Sequence, residues 1–165
     1  MGVKKTKDIK LSDLLTEELI NLELKGNNKK KILAELVEII AKSRKLRNKK
    51  AFYKGVMERE KLGSTGIGNG VAIPHANSEG VSDFVLAFAR KDEGIDFGAL
   101  DGEKTYLFFA FAAPKDEVGG HLKILAEISR LVKDKFVVER LKRAKDKREV
   151  LRIISYVEGR PSYYA

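Results

Sequence analysis

Between residues 20 and 24 apolar and polar positions alternate, Ile20, Leu22 and Leu24 against Asn21 and Glu23, which is the two-residue period of a half-buried strand. Gly26-Asn27-Asn28 then offers a turn and a capping amide, and the period changes. Ile32, Leu33, Leu36, Ile39 and Ile40 recur at helical spacing between Asn28 and Arg44, and a second helix after Asn48 carries Phe52, Val56, Met57 and Arg59. A glycine-rich loop ends that helix. Residues 71–74, 83–90 and 105–113 are short apolar runs that suit strands buried on both faces of a sheet, with Tyr106-Leu107-Phe108-Phe109 the clearest, and the stretch 94–102 between the last two is rich in turn formers. Beyond Pro114 the pattern is helical again over 121–132, 135–142 and 148–157, closing at Gly159 and Pro161. No linker, repeat or low-complexity segment intervenes. The expectation is an α/β fold, one domain over residues 1–165 with a mixed central β-sheet flanked by α-helices and a flexible basic N-terminus over the first ten or so residues.

Composition narrows the class. With 43% hydrophobic and 35% charged residues in 165, the chain reads as a globular domain large enough to bury a core. It has no run of about 20 apolar residues, and its lysine-rich start is not followed by the apolar core of a signal peptide, so the expected location is the cytoplasm, with no membrane insertion. The absence of cysteine excludes disulfides, thiol catalysis and thiolate metal sites, and the two histidines, 46 positions apart, match no short metal-ligand spacing. Carboxylates remain the available metal ligands; neither a metal nor another cofactor is expected.

The formal charge of +9 is unevenly spread: residues 25–61 hold 13 Lys/Arg against 4 Asp/Glu and residues 130–152 hold 10 against 4, whereas residues 76–118 hold 4 against 9. Basic helical faces attract nucleic acid, anionic membranes or acidic proteins. Here no aromatic residues interleave with the charges and no zinc-finger spacing exists, so solvated helix faces are favoured, with a nucleic-acid-binding module as the alternative from another class.

The chemistry concentrates in Gly63-Ser64-Thr65-Gly66-Ile67-Gly68-Asn69-Gly70-Val71-Ala72-Ile73-Pro74-His75. Its glycines permit positive φ and close approach of another molecule, and Pro74 fixes φ just before the imidazole. An exposed, positioned histidine, largely neutral near pH 7, suits phosphoryl or proton transfer, whereas the plainer reading has His75 satisfying a hydrogen bond beside a turn. The Gly-x-Gly-x-Gly spacing is not that of a dinucleotide fingerprint, and no Gly-Lys-Ser/Thr follows for a P-loop. The loop's N–H groups could still cradle a phosphate attached to His75 or carried by a partner.

Arg59-Glu60-Lys61-Leu62, the run from Gly63 to His75, and His121-Leu122-Lys123-Ile124-Leu125 opening a helix resemble the Enzyme IIA domain of the fructose/mannitol class of the bacterial phosphotransferase system. The resemblance extends along nearly the whole chain, through Phe111-Ala112-Ala113-Pro114 to Glu158-Gly159, and the wording of the glycine loop is most similar to the free-standing nitrogen-regulatory branch. It implies that a phosphohistidine carrier protein of the HPr kind passes a phosphoryl group to His75, with His121 as second active-site histidine and Arg59 as a nearby cation. In the sugar branch the group moves on to a IIB domain and the incoming sugar; in the regulatory branch the phosphorylation state controls partner proteins. Thr65 and Asn69 would shape the loop. Such a transfer needs an aligned neutral nitrogen, a hydrogen bond fixing the tautomer of His75, and donors or charge from His121 and Arg59 on the phosphoryl oxygens. The alternatives are a helix-start residue for His121 after Gly119-Gly120 and an ordinary exposed helix arginine for Arg59.

Overall fold

The apolar run around Phe108 and Phe109 lies at the centre of the molecule, flanked by strands on both sides. The computed structural model describes residues 9–159. In chain order these form α1 (Leu11–Leu14), a 3-10 turn (Glu17–Leu19), β1 (Ile20–Asn21), α2 (Lys29–Ile40), α3 (Lys49–Lys61), β2 (Gly66–Gly68), β3 (Val71–Ala72), β4 (His75–Ser78), β5 (Val85–Ile95), β6 (Thr105–Pro114), α4 (Val118–Val132), α5 (Lys135–Arg143) and α6 (Lys147–Glu158). The sheet runs β1-β5-β6-β3-β2, with β4 also on β6. It is mixed: β5 and β6 form an antiparallel hairpin, β3 and β4 run parallel to β6, β1 runs parallel to β5, and β2 pairs antiparallel with β3. Helices pack against the sheet, which is the expected α/β architecture, and Phe88, Phe108, Phe109 and Phe111 are fully buried between the layers.

The starts of α2, α3, α5 and α6 follow the sequence closely. The Asn28 and Asn48 side chains accept hydrogen bonds from the N–H groups of Lys31 (2.9 Å) and Ala51 (3.0 Å), and Asp134 and Asp146 cap α5 and α6 in the same way. The tertiary structure corrects other boundaries. The strand expected over residues 20–24 stops at Asn21, because the Asn21 side chain takes the N–H of Glu23 (2.8 Å) in a tight turn and diverts the backbone from the ladder; Leu24 alone rejoins, donating to Arg90 O (3.1 Å). The strand expected over 83–90 starts at Val85 and continues past a register shift to Ile95, while α1 and the 3-10 turn had no periodic signature. The closing Gly159 lies in the right-handed region (φ −82°) and accordingly forms no left-handed cap; Pro161 and residues 1–8 of the basic N-terminus lie outside the described residues.

The run 71–74 behaves most informatively. Val71 and Ala72 pair with Leu107 and Phe108, and His75 to Ser78 pair with Phe111 to Pro114 in the same register, so residues 71–78 follow one edge of β6 as a single interrupted strand. The interruption is at Ile73-Pro74. Proline has no N–H to give the ladder, and Ile73 donates instead to Thr65 O (2.9 Å), while Pro74 O still accepts from Phe111 N (3.1 Å).

Two glycines set helix-to-sheet distances. A Cβ at Gly55 would lie 3.3 Å from the Ala76 methyl, and one at Gly120 would overlap the Phe84 ring. These close approaches draw α3 and α4 against β4 and the sheet. Among the described residues no helix is long and apolar enough to cross a membrane.

Candidate active site

His75 is the first residue of β4, immediately after the proline break. Its ring stacks on Phe111, centroids 4.8 Å apart and planes at 8°, and meets His121 edge-on at 4.8 Å and 88°. Packed between these rings it is only 6% exposed, a correction to the exposed histidine expected from the loop composition. Its Nδ1 lies 2.6 Å from Ile73 O. A carbonyl can only accept, so Nδ1 carries the proton and Nε2 keeps its lone pair. Burial lowers the His75 pKa to about 4; the Ile73 bond opposes this, His121 and Arg59 push it further down, and Glu60 pulls it up. The ring is therefore neutral at pH 7.

His121 comes from α4. That helix begins at Val118 with Glu117 as its cap residue, and His121 N donates to Glu117 O (3.0 Å), so His121 sits one turn inside the helix and does not open it. Gly119 and Gly120 already have helical conformation, which the sequence pattern could not reveal because glycine carries no periodic signal. His121 is half-buried, edge-on to Phe111 at 5.3 Å, and its Nδ1 bonds to Asn77 Oδ1. Burial, then Arg59, lowers its pKa. Arg59 occupies the last turn of α3, where Nη1 donates to Gly63 O (3.0 Å). It is half-buried, not the freely exposed arginine of the plainer expectation, because the following loop folds back over it. His75, His121 and Arg59 thus line one open cavity of about 860 Å³.

The glycine loop serves this cavity indirectly. Gly68 and Gly70, both at positive φ (92° and 79°), and Asn69 (φ 57°) make the turn of the β2–β3 hairpin, which faces Asp101 and Tyr106; Asn69 N donates to Asp101 Oδ2 (3.1 Å). The cavity wall is made by Ser64, Thr65 and Ile67 of this loop, and its glycines do not line it. Thr65 is buried and bonded to Glu60, and Leu62 and Ile67 give the cavity an exposed apolar lip.

Two polar residues at the site were not singled out in the sequence. Glu60 is buried, accepts from Thr65 N (2.9 Å) and Thr65 Oγ1 (2.6 Å), and pairs with Lys29 Nζ (2.6 Å). Its signal was available: Phe52, Val56 and Glu60 repeat every four residues, placing a carboxylate on the buried face of α3. Asn77 stands two residues after His75 on a strand, hence on the same face, and its Nδ2 donates to Pro114 O (3.2 Å). Among the described residues no three His, Asp or Glu side chains converge as metal ligands.

This geometry, on this sheet, accompanies a sequence match over residues 13–157 to the family described as "Phosphoenolpyruvate-dependent sugar phosphotransferase system, EIIA 2". The chain belongs to that family and is a phosphotransferase-system component of the IIA type. It is 37% identical over 147 residues to the nitrogen regulatory protein of Bradyrhizobium diazoefficiens, covering 88% of this chain and 94% of that one. It is also 33% identical to the fructose-specific EIIABC component of Bacillus subtilis, over 89% of this chain but only 23% of the length of that larger protein. The crystal structure of the nitrogen regulatory protein IIA-Ntr from Neisseria meningitidis superposes with a TM-score of 0.81 at 31% identity, covering 87% of this chain and 98% of that one.

Proposed function

We propose that this protein is a phosphoryl carrier that accepts a phosphoryl group from an HPr-like phosphohistidine protein onto Nε2 of His75, in the cytoplasm, and that the phosphorylation state governs which partner proteins it binds. The observation that carries the reading is the His75 ring itself: Nδ1 is committed to Ile73 O at 2.6 Å, and Nε2, the nitrogen with the free electron pair, has no partner among the described residues of a cavity it shares with His121 and Arg59. In the transfer, the bond between phosphorus and the donor nitrogen breaks as the bond to Nε2 forms, and the electron pair returns to the donor ring. Arg59 and His121 face the charge on the phosphoryl oxygens, which is where an in-line transfer needs help.

The regulatory role is supported by the nitrogen regulatory relative, which this chain matches over 94% of that protein's length. The fructose-specific relative supports a second reading, a sugar-uptake IIA that passes the group to a separate IIB protein. The nucleic-acid reading has less support: no observation favours it, and on α2 Lys29 is committed to Glu60 and the Phe97 ring.

Incubation with phosphoenolpyruvate and the general phosphotransferase proteins should add one phosphoryl group, labile in acid and stable in base, which His75→Ala abolishes. Equal labelling of the His75→Ala protein would overturn the assignment. Rapid drainage of the phosphoryl group by a sugar-specific IIB, with loss of uptake of one sugar on deletion, would replace the regulatory reading by the sugar reading.

A further inference from the structure

Asn77 is half-buried in the wall of the same cavity, with its amide held at both ends. Nδ2 donates to Pro114 O at 3.2 Å, and Oδ1 meets Nδ1 of His121. A backbone carbonyl has no proton to give, so the amide can have only one orientation: its NH2 toward Pro114 and its oxygen toward His121. That oxygen is in turn acceptor only. The His121 proton must therefore reside on Nδ1, and in the neutral ring Nε2 is bare.

The two histidines thus stand in the same state, each with its Nδ1 proton given to an oxygen, Ile73 O for His75 and Asn77 Oδ1 for His121, and each with an unprotonated Nε2. Two lone pairs suit the attacking nitrogen but not its helper. A neutral His121 in this tautomer offers an incoming phosphoryl oxygen a lone pair, which repels it; the ring becomes a donor at Nε2 only as the imidazolium.

We propose that Asn77 is a positioning residue that fixes His121 as the Nδ1–H tautomer, so that phosphorylation of His75 draws one proton from solvent onto Nε2 of His121. The inference rests on the phosphoryl-carrier reading for its second half. The balance is complete: the donor N–P bond breaks with its electron pair returning to the donor ring, the His75 Nε2–P bond forms, the His75 ring keeps its proton on Nδ1 against Ile73 O and so carries a formal positive charge, and the proton gained by His121 comes from water. The dianionic phosphoryl group then faces two cations, Arg59 and the His121 imidazolium. The charged or titratable groups around His121 are Arg59 and Glu58 of α3, which line the cavity, and His75 of β4, while β6 contributes the uncharged Phe111 ring. Before phosphorylation burial and Arg59 hold His121 neutral, and the arriving negative charge reverses that balance.

The test is nitrogen-15 NMR of the histidine rings in the full-length protein. In the unphosphorylated wild type, above the His121 titration, the unprotonated nitrogen of His121 should be Nε2. In Asn77→Leu, which removes the acceptor, a population with Nδ1 unprotonated should appear. Asn77→Asp, which keeps an acceptor beside Nδ1, should retain the wild-type tautomer and titrate at higher pH. After phosphorylation by the general phosphotransferase proteins, His121 of the wild type should bind its second proton at least about tenfold more tightly, a rise of one pH unit or more in its midpoint. A bare Nδ1 in the wild type, or an unchanged tautomer in a folded Asn77→Leu protein, would overturn the role of Asn77. An unchanged His121 midpoint in the phosphorylated protein would overturn the proton uptake. The tautomer measurements need no phosphoryl transfer, so failure of the carrier reading, seen as no labelling at all, is distinguishable from either.

Discussion

The buried neutral His75 makes a prediction about acid stability that is independent of any partner. Its pKa falls from 6.5 to about 4 on folding, chiefly because burial penalises the charged ring. Between those two pH values the unfolded chain binds a proton at this position that the folded chain refuses, so stability rises with pH across the window and is lost as pH falls from about 6.5 towards 4. A shift of this size corresponds to about 3 kcal/mol at 1.36 kcal/mol per unit. His75→Gln removes the titration while keeping a polar side chain of similar reach. Urea unfolding of both proteins at pH 7, 6, 5 and 4 should show the wild type losing about 3 kcal/mol more than the variant, a relative midpoint shift of roughly 1–3 M at a slope of about 1–3 kcal/mol/M. His121 titrates in the same direction, since its pKa is also lowered, but it is present in both proteins and largely cancels in the difference. Typical domain stabilities of about 5–15 kcal/mol leave a measurable transition at the acid end. Parallel stability curves for the two proteins, or a wild type that gains on the variant as pH falls, would refute the picture of a desolvated neutral imidazole.

Glu60→Ala strands Lys29 and both Thr65 donors and should cost about 1–3 kcal/mol by urea unfolding, with Glu60→Gln milder because it retains an acceptor for Thr65. Gly120→Ala forces a methyl into the Phe84 ring and should destabilise by about 1–3 kcal/mol in thermal or urea melts, whereas Gly119→Ala, with nothing within 4 Å of its Cβ, should be neutral or slightly stabilising. His121→Ala should still take up the phosphoryl group but transfer it about 10- to 1000-fold more slowly in rapid-quench assays, as expected for loss of one transition-state donor. Arg59→Gln should likewise slow transfer while changing stability by well under 1 kcal/mol, since the hydrogen bond it makes among the described residues is to the loop carbonyl of Gly63; an equally fast variant would remove it from the transfer machinery.

Elements whose own residues carry the periodic signal were legible from the chain. The apolar faces of α2, α3, α5 and α6, the Asn caps of α2 and α3, and the buried hairpin of β5 and β6 all follow from interactions within about four residues or from continuous apolar runs, and these are properties of sequence. The glycine loop ending on His75 was equally legible as a place where one side chain is rigidly presented. What it presents was not. The loop composition suggested an exposed histidine, but Gly68 and Gly70 turn a hairpin that faces Asp101 and Tyr106, and the imidazole is buried on Phe111.

That outcome depends on pairing between residues 36 positions apart in sequence, which carries no local trace. Only when residues 71–78 align along β6 does the missing N–H of Pro74 become a break in a ladder, and only then does His75 land over Phe111 with its Nδ1 on Ile73 O. The same alignment brings Asn77 beside Pro114, at the start of the turn into α4, and so within reach of His121, whose distance along the chain hides the contact completely. Sequence determined which side chains were available and which local shapes they favour, because helix and strand periods are short-range. Tertiary structure decided how each histidine is buried and which partner holds His121, because Phe111 and His121 around His75, and Asn77 beside His121, meet only on folding, whereas Ile73, which holds Nδ1 of His75, is two residues away in the chain.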